Sequence, residues 1–139
     1  MRILGVDLGE KRIGLALSDP LGFTAQGLET LLVKNKKGIP ADLAEICKNH
    51  VVREIVIGLP VNMNGSFGPK AQEVQALIPL LEKATGVPVH AWDERLTSRQ
   101  AGRLMVEQGI SRQKQRKHSD RLAATLILQN YLESIRSRK

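Results

Sequence analysis

A chain of 139 residues is expected to form one domain, residues 1–139, long enough to bury a core. Its formal charge of +7 favours a polyanionic partner, and a single cysteine, Cys47, excludes an internal disulfide and a cysteine-rich metal cluster. No apolar run approaches the ~20 residues that span a bilayer and no signal peptide is evident, so the chain reads as cytoplasmic with no membrane contact.

The first element is a strand, Ile3-Leu4-Gly5-Val6-Asp7-Leu8-Gly9. Ile3, Gly5 and Asp7 share one face at the period of two, and Leu4, Val6 and Leu8 share the other. Apolar residues on both faces describe a central strand covered on both sides. A carboxylate within it is costly to bury unless it is paired or holds a cation; the alternative is an acid at the strand's end that caps its own turn. Ile13 to Asp19 repeats the strand pattern after Glu10-Lys11-Arg12, so the two form a hairpin with Asp7 at its mouth.

Pro20 and Gly22 punctuate a turn, and residues 24–32 read as a third, antiparallel strand. Asn35-Lys36-Lys37-Gly38 is a polar loop. Pro40 then opens a helix whose apolar face is Ile39, Leu43, Ile46 and Cys47, which makes Cys47 core filler and not a nucleophile. Arg53 to Leu59 is a buried strand opening into a loop over 60–68, and Pro69 starts the next helix. Pro79 within that helix predicts a kink or a break. Gly86 to Trp92 is a fifth strand ending in Asp93-Glu94. A helix is expected from Thr97 or Ser98 to Gln108, then a basic loop over 111–117, and a last helix from near Ser119 to about Ile135. The order βββαβαβαα mixes hairpins with a strand–helix–strand crossover, so the expected fold is α/β and ribonuclease H-like, with a mixed five-stranded sheet flanked by helices.

Acids stand at three element ends: Asp7, the pair Asp93-Glu94, and Asp120 on the core-facing side of the last helix. Asp93 shares a strand face with Val89 and Ala91, and Glu94 shares one with His90 and Trp92. The longer reach of Glu94 favours it, with Asp93 kept as a candidate. For Asp120 the structural alternative is an acid favoured by the helix dipole, worth ~0.3–1 kcal/mol. Carboxylates gathered at one sheet edge repel one another unless a cation is present, and oxygen ligands alone suit Mg²⁺ or Mn²⁺. Two such ions would serve in-line attack on a phosphodiester.

Basic residues surround these acids. Lys11 and Arg12 lie in the hairpin, Arg95 follows the fifth strand, and Arg112, Lys114, Arg116, Lys117 and Arg121 flank Asp120. They are candidates for holding a nucleic-acid backbone. In the 60–70 stretch, backbone amides at a helix N-terminus together with Lys70 are candidates for holding a phosphate, with Asn62 and Asn64 helping to position the strand; the alternative is a structural loop with Asn and Gly at its turns. That stretch lacks the spacing of a P-loop, and 3% aromatic content argues against recognition by base stacking.

The blocks Asp7 to Asp19, Gly58 to Gly65, Asp93 to Ser98 and Ser119 to Gln129 resemble the YqgF family, bacterial proteins described as Holliday-junction resolvases and as pre-16S rRNA nucleases. The four blocks occur in family order across nearly the whole chain. The resemblance implies a fold related to the RuvC resolvases, a divalent-metal site on Asp7, on Asp93 or Glu94, and on Asp120, and processing of the 5′ end of pre-16S rRNA in the cytoplasm. Branched DNA stands as the alternative substrate, and a non-catalytic assembly factor as the alternative role. Actin-like and sugar-kinase-like ATPases share an Asp-x-Gly hairpin but duplicate the domain, which 139 residues do not accommodate.

Overall fold

The structure is a computed structural model that describes residues 2–93 and 112–137, with side chains of the last helix described over 122–135. In chain order the elements are β1 (Arg2–Leu8), β2 (Arg12–Ser18), β3 (Ala25–Gly27), β4 (Leu31–Leu32), a 3-10 turn (Lys36–Gly38), α1 (Ile39–His50), β5 (Val52–Leu59), α2 (Pro69–Thr85), β6 (Val89–Asp93) and α3 (Arg112–Ser137). The sheet order is β3-β2-β1-β5-β6, with β4 also on β2. β1 is antiparallel to β2 and parallel to β5, and β5 is parallel to β6, so the sheet is mixed as expected.

Both faces of β1 are buried because helices cover both. Leu4, Val6 and Leu8 join Ile55, Ile57 and Leu59 in a core that takes Leu43 and Cys47 from α1 and Val74, Leu77 and Leu81 from α2. Ile3 on the opposite face joins Ala16 and Val56 beneath Ala124, Ile127, Leu128 and Leu132 of α3. The period-two alternation of β1 therefore sorts its residues between two helical layers.

Three expectations are corrected. The third strand is split into β3 and β4. Gly27 pairs with Ala16 and Leu31 with Ile13, so four steps on one strand meet three on β2, a one-residue bulge. The predicted break at Pro79 does not occur, and α2 runs from Pro69 to Thr85. Pro79 and Gln75 both lie on its exposed side, so the carbonyl that Pro79 leaves unbonded meets water while Val74, Leu77 and Leu81 anchor both halves. The basic stretch from Arg112 to Lys117 is not a loop but the opening turns of α3. Arg, Lys and Gln are good helix formers, and no Gly or Pro interrupts residues 111–135. The helix expected over 97–108 lies outside the described residues.

The hairpin between β1 and β2 closes tightly, with the Gly9 amide donating to the Arg12 carbonyl at 2.9 Å. A Cβ on Gly9 would lie 2.4 Å from that oxygen, so no side chain fits there. At the other end of β2 the turn is organised by Asp19, a role the sequence reading gave to Pro20 and Gly22 alone. Its carboxylate accepts from the amides of Phe23 at 2.7 Å, Thr24 at 2.8 Å and Leu21 at 3.3 Å. These bonds, the Thr24 amide foremost, hold its pKa below the usual carboxylate value.

Candidate active site

Parallel strands β1, β5 and β6 end together at Leu8, Leu59 and Asp93, and ligands of such sheets bind outside the carboxyl ends of the strands. Asp7 is half-buried at this edge, opposite Gly14 in the hairpin register. By alternation it lies on the face covered by α3. Among the described residues its carboxylate has no hydrogen-bond or ion-pair partner. A half-buried acid without a partner is a group that a cation would satisfy.

The approach of α3 to this edge is set by Gly5. A Cβ there would lie 2.9 Å from the Leu128 Cβ and 3.0 Å from the Ala124 carbonyl oxygen, so only glycine lets the helix dock so closely. Farther along, the Tyr131 hydroxyl donates to Glu54, which is paired with Ile3. α3 thus passes Gly5 at Ala124 and Ile3 at Tyr131, running opposite to β1. From Gly5 to Asp7 the strand advances about 6.6 Å. From Ala124 back to residue 120 the helix advances about 6 Å, so the backbone of residue 120 reaches the level of Asp7. Residue 120 is eight positions inside the helix. The dipole alternative for Asp120 is therefore removed, because that effect fades within the first turn.

Asp93 pairs with Leu59 and so falls on the α1–α2 face, opposite to Asp7. Trp92 pairs with Gly58 and His90 with Val56, and these residues lie on the α3 face. They are the residues that strand alternation groups with Glu94, which itself lies outside the described residues, as does Arg95. The side chains of Arg112, Lys114, Arg116, Lys117, Asp120 and Arg121 are likewise outside the description. Among the described residues, no three His, Cys, Asp or Glu side chains gather to hold a metal.

A cluster that the sequence reading missed ties this face together. Glu54 receives the Tyr131 hydroxyl at 3.1 Å and lies 3.1 Å from His90 Nε2. His90 stacks on Tyr131 with ring centroids 5.8 Å apart, and Trp92 meets the same ring edge-on at 6.2 Å. The cluster joins β5 and β6 to α3. No local sequence pattern links residues 54, 90 and 131, so only the fold brings them together.

The other candidates divide. Lys11 is exposed and Arg12 half-buried at the hairpin tip. Asn62 and Asn64 fold their own loop: Asn64 Oδ1 accepts from the Ser66 amide at 3.0 Å and from its hydroxyl at 2.6 Å, and Asn62 Nδ2 donates to Ser66 Oγ at 3.1 Å. Lys70 Nζ is buried 3.9 Å from Glu73 and makes no hydrogen bond among the described residues. Cys47 is buried in the core, and burial pushes its thiol up to about 11, as expected of filler and not of a nucleophile.

The family described as "RuvX: Holliday junction resolvase" matches residues 1–134. A Moorella thermoacetica protein named "Putative pre-16S rRNA nuclease" is 50% identical over 135 residues, 97% of this chain and 96% of its own. A Bacillus licheniformis protein of the same name is 47% identical over 139 residues, covering 99% of this chain and 100% of its own. Among solved structures, Thermus thermophilus RuvC aligns with a TM-score of 0.59 at 16% identity, over 99% of this chain and 97% of its own. The fowlpox virus resolvase, solved with Holliday junction DNA, aligns at 0.59 and 15% identity over 97% and 99%. At such low identity these two similarities establish the fold, which is ribonuclease H-like. The family match, together with relatives near 50% identity along almost the entire chain, makes this protein a member of the RuvX family.

Proposed function

We propose that the chain is a divalent-metal-dependent endonuclease of structured nucleic acid, acting on the 5′ end of pre-16S rRNA. The observation that carries this reading is the half-buried Asp7 at the carboxyl edge of β1, without a partner among the described residues, with the backbone of residue 120 brought to its level across Gly5. The names of the relatives support pre-16S rRNA as the substrate. The family description favours a second reading, cleavage of branched DNA.

Asp7, Glu94 and Asp120 would hold the ions. Asp93 is the weaker candidate, because its register puts it on the far face of the sheet from Asp7. Carboxylate oxygens without nitrogen or sulfur ligands fit Mg²⁺ or Mn²⁺. When bound, the cations supply charge neutralisation at the phosphodiester and a more acidic water. The chain's part is to fix these acids on a strand and a docked helix. Lys11 and Arg12, with Arg95 and the basic residues Arg112, Lys114, Arg116, Lys117 and Arg121, would hold the phosphate backbone. Asn62 and Asn64 would shape the neighbouring loop, and Lys70 would add a charge at the start of α2.

The test is cleavage of end-labelled pre-16S rRNA leader and of a four-way DNA junction with Mg²⁺ or Mn²⁺, comparing wild type with Asp7→Asn. Metal-dependent cutting of one substrate should fall by at least about 10²-fold in the variant, since cation stabilisation is worth several kcal/mol and each decade is about 1.4 kcal/mol. Absence of cutting by wild type, with equal binding by wild type and variant in the presence of chelator, would replace this reading with that of an assembly factor.

A further inference from the structure

The polar loop after β4 closes beside the hairpin of Asp7. Leu32 pairs with Arg12, and the Val33 amide donates to the Lys11 carbonyl at 2.9 Å, so Lys34 follows directly from a residue bonded to the hairpin tip. Asn35 then fixes the turn by accepting from the Lys37 amide at 3.0 Å, and the Gly38 amide donates to the Asn35 carbonyl at 2.9 Å. Lys36 reaches across to Glu73 of α2 at 3.3 Å. Lys11, Lys34 and Lys37 are exposed, and none has an ion pair among the described residues. Glu73 is already shared by Lys36 and Lys70, and the other acids on these elements are Asp7 and Glu10 in the hairpin, Glu29 before β4 and Asp42 in the first turn of α1.

This basic surface lies at the same sheet edge as Asp7, but on the α1–α2 side of the hairpin. α3, whose first turns carry Arg112, Lys114, Arg116 and Lys117 in sequence, covers the other face of the sheet. Cations flanking a cleavage edge on two sides suit a polyanion with more than one strand there. We propose that Lys11, Lys34 and Lys37 form a backbone-binding surface that grips a duplex arm of the substrate beside the cleaved strand. The proposal rests on the nuclease reading and adds to it a reason for preferring structured substrates.

The test is fluorescence anisotropy with a labelled stem–loop RNA and a single-stranded RNA of equal length, titrated across KCl concentrations in the presence of chelator. The proteins are wild type, Lys34→Gln/Lys37→Gln, Lys34→Glu/Lys37→Glu and Asp7→Asn. Each lost phosphate contact should reduce the slope of log K against log salt by about 0.7–0.9, so the double Gln variant should lose roughly 1.4–1.8 on the stem–loop. Its preference for stem–loop over single strand should shrink, and the Glu pair should shrink it further. Asp7→Asn should keep the wild-type slope while losing cleavage. An unchanged stem–loop slope in a Gln variant that melts like wild type would overturn the surface and leave the nuclease standing. Wild type that binds neither RNA would overturn both.

Discussion

Gly5→Ala tests whether the docking of α3 sets the active site. The new Cβ would stand 2.9 Å from the Leu128 Cβ and 3.0 Å from the Ala124 carbonyl oxygen. Comfortable separations are about 3.5–4.0 Å, so the helix must retreat by roughly 0.5–1 Å at its closest point to β1. Overpacking of this kind costs about 1–3 kcal/mol. The lower unfolded-state entropy of Ala offsets about 0.4–1 kcal/mol of that. The net loss, centred on about 1.3 kcal/mol and at most about 2.6, should lower Tm by roughly 4–5 °C and by no more than about 9 °C. Activity should suffer more than stability, because residue 120 lies one turn from Ala124 and a 1 Å misplacement can cost about 10²-fold. The assay is metal-dependent cleavage at a temperature where the variant is fully folded, beside melting followed by circular dichroism. Leu132→Ala is the control. It opens a cavity beneath the same helix three turns from residue 120, costs about 2–5 kcal/mol, and should keep its activity while folded. If Gly5→Ala melts several degrees lower yet cleaves like wild type, the position of α3 does not set the site. If it neither melts lower nor cleaves less, the close approach itself is refuted.

Two further outcomes follow from the pKa shifts. Asp19 has a depressed folded-state pKa, so its stabilising contribution is complete above the ordinary carboxylate value of 3.8 and disappears as pH falls through the lower folded value. The stability difference between wild type and Asp19→Ala should therefore be flat from pH 7 to about 5 and shrink below pH 4 in urea titrations; a difference that grows on acidification would contradict the assigned bonds. Cys47, with its thiol pushed up to about 11, should hold roughly one part in 10³ as thiolate at pH 8 and react slowly with a disulfide reagent until urea exposes it. Rapid labelling of the native protein would refute its burial.

Much of the fold was legible in the chain because its signals are local. Alternation marked β1 and β2 and their pairing across Glu10-Lys11-Arg12, and the faces of α1 and α2 followed from apolar spacing. Where local signals misled, longer-range packing or backbone bonding prevailed. Pro79 weakens a helix by itself, but Val74, Leu77 and Leu81 hold α2 on both sides of it. A bulge splits the third strand because its register against β2 slips by one residue, which composition does not reveal. The 60–68 loop read equally as a phosphate cradle or as a structural turn, and the hydrogen bonds of Asn62 and Asn64 to Ser66, which order that turn, are set by loop geometry and not by composition.

The sequence by itself determined the central strand with its misplaced acid, the mixed topology and the family, since each depends on residue order over short spans. Only the tertiary structure decided on which face of the sheet Asp7 and Asp93 stand relative to each other. Strand parity separates Asp93 from Asp7, because partners in register share a face and neighbours along a strand do not. A missing Cβ at Gly5 lets α3 come close enough to bring residue 120 level with Asp7, and steric room between two elements more than a hundred residues apart is written in no local pattern.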